Sequence, residues 1–364
     1  MIRTPVLPTD AGVARAHRDL PALGVLLEPD RLAMLTQDLG LGAYTLDRLR
    51  LKPHASVTAV LRPVGGVGPW LLARGFAGEP WATKRRKDLD RAARLTLAAH
   101  EIPADRLVVV AAAADRSLPE LARLKPDSGE GARYRRRGGG GTSFRGWFRT
   151  LSHNPARRWV GCGEAEDGSR VVVRVHADRP SELLPWQPGR PWQPGDPAPH
   201  GSWLPNRSGA QARNSRPRHP RVAERVNAAV RGLDMLSADW GSRAAAVADR
   251  IHTPLARVPL GPAHGDLTPD QVVVDDGHLH VLDWDEAGDW PLGWDTATWA
   301  MGLVLEGWPA DAAGIADPAG TPVPTPEVRA AAAIMRGPEP FRRRHSHWAE
   351  RTEALLAYAE RVLS

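Results

Sequence analysis

Cysteine is all but missing. The chain has one, Cys162, so no intramolecular disulfide can form, which suits a reducing compartment. In an apolar, alternating stretch a lone cysteine reads as packing rather than as a nucleophile. Lysine is scarce as well, confined to Lys52, Lys84, Lys87 and Lys125. The longest apolar runs, such as Leu107–Ala114, are too short to cross a bilayer, and no membrane partner is expected. Met1-Ile-Arg-Thr-Pro5 has no apolar signal core, so the expected location is cytoplasmic.

One absence is regional. Between Arg257 and Arg329 there is no Lys or Arg, while the same interval holds Asp266, Asp270, Asp275, Asp276, Asp283, Asp285, Glu286, Asp289 and Asp295. The whole chain carries a net charge of +6, which invites a nucleic-acid partner. An acidic, cation-free segment repels phosphate backbones and suits a hard cation with oxygen ligands instead, so the balance is against nucleic acid. The basic surplus sits in Lys84–Lys87, Arg133–Arg137 and Arg342–Arg344, which read as solvated faces and loops.

What is present is a chain of 364 residues, 42% apolar, long enough for a sizeable core and for two or three domains. Residues 1–45 read as helical, with Pro8, Pro21 and Pro29 as breakers and one helix from about Glu28 to Leu39. Strand-like alternation follows at 51–62 and 70–74, then a helix at about 83–99 and a buried strand at 107–114. Composition divides the chain into a unit at 1–125, a Gly/Arg linker at 126–143, a β-rich lobe with a hinge at 144–200, and a helical lobe at 221–364. Proline density across 179–220 excludes a regular helix there, and that segment reads as partly disordered. Helical spacing resumes at Val222, Val226, Val230 and Leu233. Trp299–Leu305 looks like a buried helix, and 327–363 like a pair of amphipathic ones. Pro53 answers to Pro155 and Arg74 to Arg174, with a two-residue difference in spacing. One β-unit used twice and two hairpins of similar composition are equally open.

The stretch carrying chemistry is Ala263-His-Gly-Asp-Leu-Thr-Pro-Asp-Gln271 followed by Val281-Leu-Asp-Trp-Asp285. Two apolar runs joined by Asp275-Asp276-Gly277 predict a hairpin. A carboxylate before one strand and another after its partner, Asp266 and Asp283, can come to one end, where they suit a divalent cation and a hydroxyl to be deprotonated. A hydrolytic metal site on His278, His280 and Asp283 is conceivable, since alternation puts both histidines on one face, but no third nitrogen or sulfur ligand is spaced to complete it.

This stretch resembles the catalytic loop and metal-binding segment of the aminoglycoside phosphotransferase family, small-molecule relatives of protein kinases. The pattern is His264-Gly265-Asp266, then Gln271 where Asn is commoner, then an apolar strand ending on Asp283, then Gly293-Trp294-Asp295 before an apolar helix. The motif cluster spans about 40 residues. The resemblance implies an α+β, protein-kinase-like two-lobed fold: a small β-rich N-lobe and a larger helical C-lobe. Residues 1–125 would precede it as an α/β cap, as in maltokinase-like members. It also implies roles. Asp266 would accept or orient the hydroxyl proton, Gln271 and Asp283 would hold Mg²⁺ on ATP, Asp295 would brace the loop, and His264 would be structural. Arg174 stands where the family places a cation for the nucleotide phosphates, and Glu182 is the nearest carboxylate for it. Trp186-Gln-Pro-Gly-Arg-Pro191 is similar to the family's hinge, and Gly138–Gly141 reads as linker rather than phosphate loop. The expected activity is ATP- and Mg²⁺-dependent phosphorylation of a hydroxyl on a small molecule such as an aminoglycoside or a sugar. The alternative is a degenerate relative that binds nucleotide or metabolite without turnover. Acceptor and oligomeric state are not written in the sequence.

Overall fold

A computed structural model describes residues 7–66, 68–127, 148–165, 167–178, 181–186, 189–193, 196, 219–276, 278–308 and 323–364. The Gly138–Gly141 run, the Arg133–Arg137 cluster and most of 179–220 lie outside them. The chain is mixed α+β and divides into two compact units. One holds Thr9–Trp186 with Arg342–Arg344, the other Met1–Pro8, Gln187–Phe341 and His345–Ser364.

The first unit opens with α1 (Asp10–Ala16), α2 (Pro21–Leu27) and α3 (Pro29–Asp38). Pro21, expected as a breaker, starts a helix, and Pro29 starts the one expected from about Glu28, because a missing N–H costs nothing at the first helical position. Next come β1 (Tyr44–Lys52), β2 (Ser56–Pro63), β3 (Leu71–Phe76), α4 (Pro80–Arg94), β4 (Ala99–Ile102) and β5 (Leu107–Ala111). They form an antiparallel sheet in the order β1-β2-β3-β5-β4. The expected helix at 83–99 is displaced toward the N-terminus: Pro80 starts it, and Ala99 already belongs to β4. Val60, Leu72, Val108 and Val110 pack with Ala92 of α4 in one core. After the short α5 (Leu121–Leu124), a second sheet takes β6 (Arg149–Asn154), β7 (Arg158–Glu164), β8 (Arg170–His176) and β9 (Glu182–Pro185) in sequence order. Its core is Phe148, Trp159, Val171, Val173 and Val175 with the three leucines Leu118, Leu121 and Leu124.

The two meanders β1-β2-β3 and β6-β7-β8 are built alike. Each first hairpin closes through a three-residue turn, between Lys52 and Ser56 and between Asn154 and Arg158. Each turn opens with a proline, and the residue after it, His54 or Ala156, has a left-handed backbone with φ of 53° or 60°. Each first strand carries an irregularity, between Leu46 and Arg48 and between Thr150 and Ser152. Arg74 lies opposite Thr58, and Arg174 opposite Val160, each two residues past the hairpin closure. The two arginines therefore hold the same register position, and the two-residue difference falls in the loop before the third strand. The units then diverge: β3 is followed by α4, and β8 by β9, which sets Glu182 directly opposite Arg174.

Arg74 is buried and forks between Asp88 of α4, at 2.8 Å, and Asp115, at 3.2 Å. Asp115 is fully buried and also accepts the Ser117 and Ala156 N–H groups and contacts His153 Nε2 at 3.2 Å. One carboxylate thus ties the first sheet to the turn of the second. The His153 contact, the Arg74 charge and the Ala156 N–H together outweigh its desolvation and hold its pKa well below the usual carboxylate range.

The second unit comprises β10 (Arg190–Pro191), α6 (His219–Asp234), α7 (Ala238–Leu255), β11 (Leu260–Ala263), β12 (Val272–Asp275), β13 (His278–Val281), β14 (Gly288–Pro291), α8 (Trp294–Leu305), α9 (Pro326–Arg336), α10 (Glu339–Arg342) and α11 (Trp348–Arg361). Strands β10-β12-β13 form one small sheet and β11-β14 another. β9 and β10 fall within the segment expected to be irregular. Proline is tolerated in both because each lies at a strand end or sheet edge, where its missing N–H breaks no ladder. α9 packs against α6, α7, α8 and α11, and its Ala330–Ala333 run is fully buried, the small side chains allowing that crowding. Arg243 of α7 clamps α11 through Glu353 and Glu360 at 2.8–2.9 Å. No helix among the described residues is long and apolar enough to cross a membrane.

Candidate active site

The loop leaving β11 is fixed from below by α8. Asp295, in that helix's first turn, accepts the backbone N–H of His264 at 2.7 Å on one oxygen and that of Gly265 at 2.8 Å on the other. A helix N-terminus favours an anion there. Complete burial nevertheless raises the Asp295 pKa above its ordinary value, with the neighbouring Asp266 charge adding to the rise and the two N–H groups opposing it. Gly265 has φ of 86°, and a Cβ on it would lie 2.3 Å from Trp290 Nε1 and 2.5 Å from the Glu286 carbonyl oxygen. The site therefore needs glycine for conformation and for space.

His264 is fully buried and reaches across the loop. Its Nε2 lies 2.7 Å from the Leu282 carbonyl oxygen, which can only accept, so Nε2 carries the proton and Nδ1 accepts from the Asp266 N–H at 3.4 Å. Leu282 in turn donates its N–H to the Gln271 carbonyl at 2.8 Å. The backbone of one residue thus ties together His264, Gln271 and the approach to Asp283. The predicted hairpin is present as β12 and β13, with Val272 paired to Val281 and Asp275 to His278. Asp283 follows in a left-handed conformation, φ 64° and ψ 52°, at the head of the single turn Trp284–Glu286. That conformation is uncommon outside glycine and clusters where function demands it.

Gln271 sits in a tight turn, its N–H bonded to the Thr268 carbonyl, and its side chain is buried. The Nε2 group lies 3.4 Å from Asp266 Oδ2. A carboxylate can only accept, so the amide nitrogen faces it and Oε1 points away. That oxygen is buried and has no hydrogen-bond partner. An orphaned buried acceptor costs about 1–3 kcal/mol unless something binds it. A cation with oxygen ligands suits such an acceptor, and Asp283 is the second oxygen donor that the family resemblance implies. Among the described residues, no group of three or more His, Cys, Asp or Glu could hold a metal, so His278, His280 and Asp283 do not make a zinc centre.

Sequence reasoning missed the other partner of Asp266. Arg336, the last residue of α9, reaches Asp266 Oδ1 with Nη2 at 2.5 Å and Glu339 Oε1 with Nη1 at 2.9 Å. Its side chain is 5% exposed, against 37% for Asp266, so the carboxylate stays reachable while its counter-ion does not. The surrounding carboxylates, Asp266 first, outweigh desolvation and raise the guanidinium pKa above its already high value. The one available sequence signal was a lone arginine closing the apolar Ala330–Met335 run. Glu286 is also engaged, paired with Arg225 at 2.5 Å, and Arg225 lies over the Trp290 ring.

The second unit therefore brings together His264, Asp266, Gln271 and Asp295 by direct contacts, and sets Asp283 beside them through Leu282. Arg174 belongs to the first unit, on β8 opposite Glu182. The segment similar to a hinge, 186–191, runs across the boundary between the units, with Gln187 and Pro188 outside the described residues.

The sequence matches no family model and no curated protein. Among solved structures, the chain is similar to amicoumacin kinase hAmiN in complex with AMP-PNP, Ca²⁺ and Ami, at 9% identity and a TM-score of 0.35, covering 58% of this chain and 87% of that one. It is similar to choline kinase from Cryptosporidium parvum Iowa II at 8% identity and a TM-score of 0.33, covering 96% and 94%. A macrolide 2'-phosphotransferase type I shares 15% identity at a TM-score of 0.28, covering 59% and 92%. These are small-molecule phosphotransferases by name. At such overlap the functional reading rests on the site's own geometry.

Proposed function

We propose that this chain is a small-molecule O-phosphotransferase that uses ATP and Mg²⁺, with Asp266 facing the acceptor hydroxyl and Gln271 and Asp283 as the metal ligands. The observation that carries the reading is the buried, unpartnered Gln271 Oε1 beside the half-buried Asp266 carboxylate. When bound, Mg²⁺·ATP would supply the phosphoryl group and neutralise the charge in transfer. The chain's own contribution is positioning. Asp295 and His264 hold the loop backbone, Arg336 holds one oxygen of Asp266 with the Gln271 amide facing the other, and the carboxylate accepts the hydroxyl proton or orients it. The acceptor class proposed is a hydroxylated small molecule, an aminoglycoside, a sugar or similar.

The test is transfer of the γ-phosphate from Mg·ATP to a panel of such acceptors. Undiminished transfer by D266A and D283A rejects the assignment. A second reading, binding without turnover, is favoured by one observation: β9 stands where a carboxylate-bearing helix would follow the cation strand. Thermal stabilisation by Mg·ATP with no product after long incubation selects that reading.

A further inference from the structure

Asp266 is held at both ends by groups of different kind. Gln271 Nε2 is a neutral donor at 3.4 Å, too long to fix a carboxylate by itself, whereas Arg336 Nη2 is a charged donor at 2.5 Å. The arginine is itself immobilised. It ends a helix whose Ala330–Ile334 stretch is buried, Glu339 holds its other terminal nitrogen, and the Gly337 carbonyl at the α9–α10 junction accepts the Thr352 hydroxyl at 3.0 Å. A planar fork shared between Asp266 and Glu339 sets the rotation of the Asp266 carboxylate, since turning it breaks the charge-assisted bond.

We propose that Arg336 is a positioning residue for Asp266, fixing which lone pairs of the carboxylate meet the acceptor hydroxyl. The inference rests on the phosphotransferase reading. It goes beyond it in assigning an orienting role to a residue of α9 outside the motif. The terminal nitrogens of Arg336 contact Asp266 and Glu339, so a guanidinium there acts on the reacting hydroxyl through Asp266. Its loss is therefore expected in turnover and not in nucleotide affinity, because misplacing a reacting group by about 1 Å can cost on the order of 100-fold.

The experiment compares wild type, R336K, R336Q and E339Q by steady-state phosphate transfer and by calorimetric titration with Mg·ATP. Expected are a kcat for R336Q lower by about 100-fold, an Mg·ATP affinity within about threefold of wild type, and partial recovery in R336K, which keeps charge and loses the fork. E339Q guards against an R336Q chain that does not fold. It loosens the arginine without removing it, and an intermediate kcat loss is expected. In a D266N background R336Q is expected to cost nothing further, since both act on one carboxylate. Wild-type transfer with unchanged kcat in R336Q, or in E339Q where R336Q does not fold, overturns the Arg336 assignment and leaves the phosphotransferase reading standing. Loss of Mg·ATP affinity alongside kcat overturns it too. Absence of transfer in wild type overturns both readings together.

Discussion

The side-chain amide of Gln271 faces Asp266 Oδ2 at 3.4 Å, and that contact turns its oxygen into a buried position with no partner. The relationship couples the residue proposed to meet the acceptor to the residue proposed to meet the metal. It also gives the site a measurable asymmetry between its empty and loaded states.

In the absence of ligand, Gln271→Met keeps the side-chain volume and removes an unsatisfied buried oxygen. The expected change in unfolding free energy is near zero or slightly stabilising, because an orphaned acceptor costs about 1–3 kcal/mol. With Mg·ATP present, the stabilisation seen by thermal shift should fall in the variant by at least about tenfold in apparent affinity, and chelation should abolish it in wild type. Strong destabilisation of the metal-free protein by Gln271→Met would contradict an orphaned Oε1 unless loss of the long Nε2–Asp266 contact accounts for it, which Asp266→Ala in the same background separates.

Gly265→Ala tests the loop that presents Asp266. The added carbon meets the Trp290 ring and the Glu286 carbonyl on a left-handed backbone. Overpacking and backbone strain together should cost about 2–5 kcal/mol in chemical unfolding. A variant as stable as wild type would mean the loop relaxes freely and that Asp295 does not fix it.

Much of this site was legible because its chemistry is contiguous. Asp266, Gln271 and Asp283 lie within one loop and hairpin, where an Asp-Asp-Gly turn between apolar runs fixes the pairing, and Asp295 follows soon after at a helix start. Arg336 could not be read in the same way. It acts seventy residues from Asp266 at the end of an alanine-rich helix, and only tertiary packing brings the two together. The buried cluster in the first unit was hidden for the same reason. Arg74, Asp88, Asp115 and His153 come from a strand, a helix, a turn and another sheet, and each alone resembles an ordinary surface charge. The common register of Arg74 and Arg174 was visible only as a similar spacing, because loop length masked it until strand pairing aligned the two meanders.

That cluster makes the first unit sensitive to acid. The Asp115 pKa is depressed in the folded chain relative to about 3.9 in the unfolded one, so its contribution to stability is present above that value and is lost as pH falls below it toward the folded pKa. Urea midpoints between pH 6 and 2 should decline more steeply in wild type than in D115N, whose curve is flatter and lower throughout. D115A, which leaves Arg74 buried with one partner fewer, should lose about 3–5 kcal/mol at neutral pH. Parallel pH profiles for wild type and D115N would remove Asp115 as the source of that sensitivity.

Asp266 is the residue proposed to present an acceptor hydroxyl to a nucleotide phosphate. The most direct test of that role follows labelled γ-phosphate from Mg·ATP into the acceptor panel, with wild type and D266A at equal concentration and equal folded fraction. A labelled small-molecule product is expected with wild type, and a rate lower by about 10²–10⁴-fold with D266A. Equal rates from the two proteins, or no labelled acceptor from wild type across the panel, would contradict that role.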